Sequence, residues 1–202
     1  QIQVLSPMRK GPSGTIRLNT CLQEALNPKS PDKRELLWGE RLFREGDRIM
    51  QTRNDYDVIW EKEDGSVGSG IFNGDMGKIA RIDPSGEVLE LAFDDGRRAA
   101  YGTEQLSELE LAYAVTVHKA QGSEYRCAVL AAMPSAQSLM VRGVLYTALT
   151  RARELLVVVG DDAVLRSMAA NDRQQRRYSG LRWRLAHSEK TAGNLDKAGE
   201  KT

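Results

Sequence analysis

Three apolar runs of strand length, 111–117, 126–132 and 155–159, constrain this chain more than any other feature. Polar strings with no place in a core lie at their ends: Thr116 to Glu124 closes the first run, and Thr147 to Arg153 leads into the third. In α/β proteins, chemistry sits on such strand-end loops, held by a buried sheet. Leu155–Val159 has no polar alternation, which predicts a strand covered on both faces in a parallel sheet. Upstream, Ile2–Leu5 reads as a strand and Ser6–Gly14 as a Pro- and Gly-bearing loop. Leu18, Cys21, Leu22, Ala25 and Leu26 then predict a helix over 15–26 with an apolar face, stopped by Asn27-Pro28. Another helix is predicted over 137–151.

Between these α/β segments the texture changes. From Arg53 to Glu108, short β-like runs are divided at close spacing by Glu63-Asp64-Gly65, Asn73-Gly74-Asp75, Asp83-Pro84-Ser85-Gly86 and Asp94-Asp95-Gly96. The last of these lies between Val88–Phe93 and Arg97–Tyr101, a hairpin pattern. Such a meander predicts a small β-barrel inserted into an α/β domain. The expected organisation is therefore 1–52 and 109–165 as two parts of an α/β domain, 53–108 as the insertion, and 166–202 as a basic, partly disordered tail. Arg166–Lys190 carries seven Lys or Arg against Asp172 and Glu189.

The net charge of +1 announces no global field toward nucleic acid. Cys21 and Cys127 stand alone in apolar patterns, which predicts small buried thiols and neither a disulfide nor a metal site. No apolar run approaches the ~18–20 residues of a membrane span, and no secretory signal precedes the first strand. A cytoplasmic chain is expected, and the start inside a strand pattern suggests a piece of a longer one. Gly74–Ile79 contains a glycine-lysine, but a phosphate loop needs four residues between its glycines and Ser or Thr after the Lys. No such loop occurs anywhere in the sequence. Asp161 or Asp162, after the last apolar run, reads as a helix cap.

Residues 112–124 and 145–153 together resemble motifs V and VI of superfamily 1 DNA helicases, specifically the RecD-like branch. Ser6–Gly11 resembles the motif IV region, and Phe43–Asn54 with Phe72–Gly77 resembles the segments framing the barrel in that branch. The resemblance spans about residues 2–160. It implies a RecA-like parallel-sheet motor domain interrupted by a small Src-homology-like β-barrel. It further implies that Thr116 and His118 contact single-stranded DNA, that Gly122 and Glu124 face the nucleotide, and that Arg151 is an arginine finger. Such a planar, permanently charged fork neutralises charge growing on a γ-phosphate. Arg9 is implied at the nucleotide phosphates, and Arg53, Asn54 and Asn73 at DNA, although turn formation is the more economical reading of Asn73. Arg153 reads as a salt-bridging neighbour.

The implied activity is ATP-dependent unwinding of DNA with movement from 5′ to 3′, using ATP and Mg2+ held mainly by an upstream RecA-like domain of the same chain. Implied partners are single-stranded DNA, duplex DNA at a junction and subunits of a nuclease complex. Lacking a phosphate loop, the 202 residues alone are expected to hydrolyse no ATP, because phosphoryl transfer depends on positioning and charge neutralisation from both walls of the site. Two other readings stand beside this one: an ATP-independent nucleic-acid-binding module stacking bases on Tyr178 and Trp183, and an inactive helicase-like scaffold.

Overall fold

The computed structural model describes residues 2–173 together with Gly180 and Arg184. Residues 1–172 form one compact unit and 173–202 another. In the second unit the Arg184 amide donates to the Gly180 carbonyl at 2.9 Å. Tyr178, Trp183 and most of the basic tail lie outside the described residues.

The first unit is built on two sheets. The parallel sheet contains β1 (Ile2–Ser6), β11 (Ala114–Thr116), β12 (Tyr125–Ala132) and β13 (Ala152–Gly160) in the order β11-β1-β12-β13. The antiparallel sheet contains β4 (Arg48–Gln51), β5 (Asp55–Glu61), β6 (Val67–Ile71), β7 (Met76–Ile82), β8 (Val88–Phe93), β9 (Arg98–Gly102) and β10 (Leu109–Leu111), ordered β10-β4-β7-β8-β9-β5-β6. A separate hairpin pairs β2 (Glu35–Trp38) with β3 (Arg41–Arg44). The expected fold class is therefore present. The hairpin at Asp94-Asp95-Gly96 forms as anticipated, with β8 and β9 paired from Ala92 with Arg98 to Val88 with Gly102.

The antiparallel pairing runs wider than the 53–108 read from the sequence, because β4 and β10 belong to it and pair with each other. Side chains along β4 alternate between the two cores. Ile49 points into the antiparallel core with Phe43, Ile79, Leu91 and Tyr101, while its neighbour Met50 points into the α/β core with Leu5, Val115 and Leu130. One short strand thus walls both cores.

Helix α1 (Thr15–Leu26) has the expected bounds but the opposite polarity. It buries Thr15, Asn19 and Gln23, while Ile16 and Leu26 are 51% and 67% exposed and Cys21 is exposed as well. The expectation of an apolar inner face and a buried Cys21 thiol is corrected; Cys127 is half-buried. The reason is what the helix faces. Asn19 donates to the Leu111 and Ala114 carbonyls at 2.9 Å each and accepts from the Ala114 amide at 2.8 Å. Gln23 donates to the Leu42 carbonyl and to the Asp47 carboxylate, and Asn27, at the C-cap, donates to the Glu45 carbonyl and to Asp47. Three amides at four-residue spacing share one helical face. They satisfy irregular backbone at both points where the antiparallel unit leaves and rejoins the α/β unit.

Asp47 is fully buried and is the centre of this arrangement. Its carboxylate accepts from Gln23 at 2.5 Å, Asn27 at 2.7 Å, the Arg44 amide at 2.7 Å and the Tyr113 hydroxyl at 2.8 Å. Burial, and then the facing Asp47 charge, push the Tyr113 phenol well above its ordinary value, so it remains a donor. Arg44, also buried, bonds Glu35, Glu24 and the Asn27 carbonyl beside it.

Helices α2 (Arg142–Leu149) and α3 (Asp162–Ala170) cover one face of the parallel sheet, burying Val144, Leu145, Ala148, Val164 and Met168 against Leu5, Ala128 and Leu130. Helix α2 is shorter than the 137–151 expected because Val141 is extended and residues 136–140 form turns. Asp161 caps α3 as anticipated, accepting from the Ala163 amide at 2.8 Å. The start of the tail at 166 falls inside α3, where Met168 is buried, so the α/β unit continues to Ala170.

The expectation that the last strand is covered on both faces also fails. Strand β13 lies at the sheet edge, and Leu155, Val157 and Val159 are 54%, 41% and 51% exposed. An apolar run specifies a strand that water should not see, but only packing partners cover it, and among the described residues none lies over these three.

Replacing Asp47 with Ala would leave several buried donors unpaired, at about 1–3 kcal/mol each. Asp47→Ala is expected to lower unfolding free energy by at least about 3 kcal/mol in urea titrations, with Tyr113→Phe costing about 1–3 kcal/mol.

Candidate functional site

The parallel register separates the expected site residues into groups. Thr116 is level with Ser6, and Leu5 pairs with Leu130, so Thr116 lies at the height of Ala131. Tyr125 begins β12 six residues earlier, which at strand rise is ~20 Å along the sheet. Residues 117–124 cross between these levels. The expectation that this string gathers at one sheet edge is therefore corrected. Thr116 and His118 sit where β11 ends, whereas Gly122 and Glu124 sit where β12 begins.

At the C-terminal edge, the Thr116 hydroxyl accepts from the Lys119 amide at 3.2 Å, and His118 is exposed in the turn that follows. Arg9, on the loop after β1, belongs to this edge. Its guanidinium meets the Glu110 carboxylate at 2.9 Å, and the Lys119 ammonium meets the other Glu110 oxygen at 2.8 Å. The loop is compact because Gly14 has no side chain: a Cβ there would sit 2.5 Å from the Arg9 carbonyl. Burial alone would raise the Glu110 carboxyl, but the Lys119 hydrogen bond and the charges of Lys119, Arg9 and Arg41 outweigh it and hold it below the ordinary glutamate value. Arg9 is thus not brought to Glu124 and Arg151.

At the opposite edge, Arg151 reaches from the C-terminus of α2 into the string before β12. Its guanidinium donates to the Ser123 carbonyl at 2.8 Å, the Thr147 carbonyl at 3.1 Å and the Thr150 hydroxyl at 3.1 Å, and its own carbonyl accepts from the Tyr125 amide. Arg153 pairs with Glu124 at 2.6 Å on the surface. Gly122 has φ +86°, and nothing lies within 4 Å of a Cβ built on it, so the turn geometry requires glycine here and close packing does not. Exposed Glu124 and Arg153, with half-buried Arg151, lie around a left-handed turn and are suited to polyanion and hydroxyl recognition.

A third group lies beyond the end of β4. The Asn73 amide donates to the Asn54 side-chain oxygen at 2.9 Å, joining two of the expected DNA residues, with Arg53 exposed beside them. Asn73 also lies in the turn closed by the Asp75 amide and the Phe72 carbonyl. Exposed Tyr56 and Phe72 stand edge to face there at 5.7 Å. Sequence reasoning placed neither Glu110 nor Asp47 in any constellation. Glu110 sits in an unremarkable Leu-Glu-Leu, and only the Asn19, Gln23, Asn27 spacing hinted that a buried acceptor awaited them.

A parallel sheet with an antiparallel unit inserted between β1 and β11 is the expected architecture of a RecA-like domain with a β-barrel insertion. Residues 18–93 match the family model described as the ATP-dependent RecD-like DNA helicase SH3 domain, and 111–159 that of the UvrD-like helicase C-terminal domain. The chain is 37% identical over 186 residues to the ATP-dependent RecD2 DNA helicase of Deinococcus radiodurans, covering 92% of this chain and 24% of that protein. It is 35% identical to the RecBCD enzyme subunit RecD of Mycolicibacterium smegmatis, covering 91% and 29%. The chain is similar to the RecD-like helicases and spans about a quarter of the length of these curated relatives.

The fold is also that of Pif1 helicases. One, solved in a study of forked double-stranded DNA unwinding by two coordinating copies, superposes with TM-score 0.56 at 17% identity over 94% of this chain and 44% of that one. Another, from Bacteroides in complex with ADP-AlF3 and single-stranded DNA, gives 0.52 at 16% identity over 92% and 45%.

Gly122→Ala is expected to cost about 1–2 kcal/mol through backbone strain alone, read as a small fall in melting temperature without loss of fold. Glu110, its pKa lowered by folding, contributes stability that is present above the unfolded value and is lost as pH falls through the folded one. Acid titration of the melting temperature should therefore show a shallower decline for Glu110→Gln than for the unsubstituted chain.

Proposed function

We propose that this chain is the second motor domain of a RecD-like, ATP-dependent DNA helicase that moves on single-stranded DNA and opens duplex at a junction. The observation that carries this reading is the placement of Glu124 and Arg151 at one edge of a sheet whose other edge bears Thr116 and His118, ~20 Å away by strand rise. A rigid sheet links the two ends, so a displacement imposed at the nucleotide edge is delivered at the DNA edge. Glu124 is assigned to the nucleotide sugar and Arg151 to phosphate charge. Thr116 and His118 are assigned to the DNA backbone, with Arg53, Asn54 and Asn73 gripping the strand from the antiparallel unit.

In this reading an upstream RecA-like domain supplies the phosphate loop. That domain also holds Mg2+ in this reading. Arg151 must exchange the Ser123 and Thr147 carbonyls for phosphate oxygens when the two domains close, a swap of neutral acceptors for a charged one. Movement from 5′ to 3′, service in a nuclease complex and a cytoplasmic setting follow from the family reading.

In a polypeptide extended to the length of the relatives, Arg151→Ala is expected to reduce DNA-stimulated ATP turnover by roughly 10³-fold or more while leaving single-stranded DNA affinity within about twofold. Arg151→Lys keeps the charge without the fork and should recover little turnover. Unchanged turnover in either variant, with a normal melting temperature, would remove Arg151 from the reaction. The 202 residues alone should turn over no ATP.

A further inference from the structure

Among the described ion pairs, two that share Glu110 span the two sheets at the C-terminal edge. Glu110 lies in β10 of the antiparallel sheet, whereas Arg9 and Lys119 follow β1 and β11 of the parallel sheet. Its two oxygens are shared between the two cations at 2.9 and 2.8 Å. The side chains of Arg9, Lys119 and Glu110 are 55%, 33% and 25% exposed, so the group opens to solvent on the Arg9 side. Guanidinium carries five N–H groups and ammonium three, and each cation here uses one on Glu110. The Thr116 hydroxyl lies beside Lys119 and accepts from its amide, which leaves its own proton to offer.

Two cations held on one carboxylate, with a hydroxyl donor next to the backbone of one of them at a strand edge, make a seat for an oxyanion. We propose that Arg9, Lys119 and Thr116 form a seat for a backbone phosphodiester of single-stranded DNA, with Glu110 as the resident counter-charge that orients the two cations and weakens the seat. This inference rests on the DNA-binding reading above and moves Arg9 from the nucleotide to the strand, because Arg9 shares an edge with Thr116 and lies across the sheet from Arg151.

The chemistry explains why a carboxylate is there. Two bare cations would hold a phosphate tightly at every step, and a strand that must be passed along has to be released. With Glu110 the group carries net charge +1, enough to place a phosphate and little enough to let it go. Glu110 also links the antiparallel unit to the seat, so the position of β10 sets the spacing of the two cations.

The probe is fluorescence anisotropy of a labelled oligo-dT with the 202-residue chain across a salt series, with melting temperature recorded for every variant. Glu110→Gln removes the counter-charge and keeps the shape. It should tighten binding by about threefold at low salt, the value expected for one charge roughly 6 Å from a phosphate in water. Arg9→Ala and Lys119→Ala should each reduce the slope of log affinity against log salt by about 0.7, one phosphate contact on a single strand. Weaker or unchanged binding by Glu110→Gln with normal melting would overturn the counter-charge role, and unaltered slopes in both cation variants would overturn the seat.

Inorganic triphosphate at matched ionic strength separates the two sources of phosphate. It should displace the labelled oligonucleotide no better than the same concentration of phosphate groups supplied as unlabelled oligo-dT does. Displacement that is selective and lost in Arg9→Ala would return Arg9 to the nucleotide. Wild-type chain that fails to bind the oligonucleotide at any salt would remove the DNA reading itself and the seat with it.

Discussion

The buried Asp47 carboxylate is the interaction on which the arrangement of the two sheets depends. A lone charge without water is untenable, and this one is stabilised by four donors from three parts of the chain: α1 with its C-cap, the last residue of β3, and Tyr113 just before β11. Asn19 extends the same helical face to Leu111 and Ala114, so α1 holds both the outgoing and the returning strand of the insertion. Polar groups do this better than methyls would, because the segments they meet are irregular backbone whose carbonyls and amides need partners. Directional bonds also set one orientation, where apolar packing would tolerate several.

Rigidity at that junction matters because the two units share a wall. Ile49 and Met50, adjacent on β4, point into different cores. The antiparallel unit cannot tilt without disturbing the α/β core, so its exposed tip with Asn54, Asn73 and the Tyr56–Phe72 pair is held in register with the parallel sheet. On the other side, the string from Val117 to Glu124 ties the edge that carries Thr116 to the edge that carries Arg151. Arg151 closes this path by bonding the Ser123 carbonyl. The two groups at the strand ends are thereby connected through backbone and a single sheet.

Much of this was legible in the residues. The helix over 15–26, the hairpin at Asp94-Asp95-Gly96, the Asp161 cap and the α/β-plus-meander texture follow from local signals. Misreadings came where a local signal has two tertiary outcomes. Leu18, Cys21, Leu22, Ala25 and Leu26 do mark one side of α1, but the side facing the protein is the amide side, since what lies there is backbone. Leu155–Val159 is the apolar strand it promised, yet it lies at an edge. Strand ends looked like one site because sequence adjacency between Thr116 and Glu124 conceals a crossing of the whole sheet.

The amino-acid order by itself determined the kinds of element, the turn glycines and the residue types that handle phosphate, because these depend on neighbours a few positions apart. Only the tertiary structure decided which face of α1 turns inward, that β4 and β10 belong with the insertion, and that Arg9 pairs with Glu110 far from Arg151. Those outcomes depend on contacts between residues tens of positions apart. Each element's preferences allow several such contacts, and their energies are settled only when all the partners are in place.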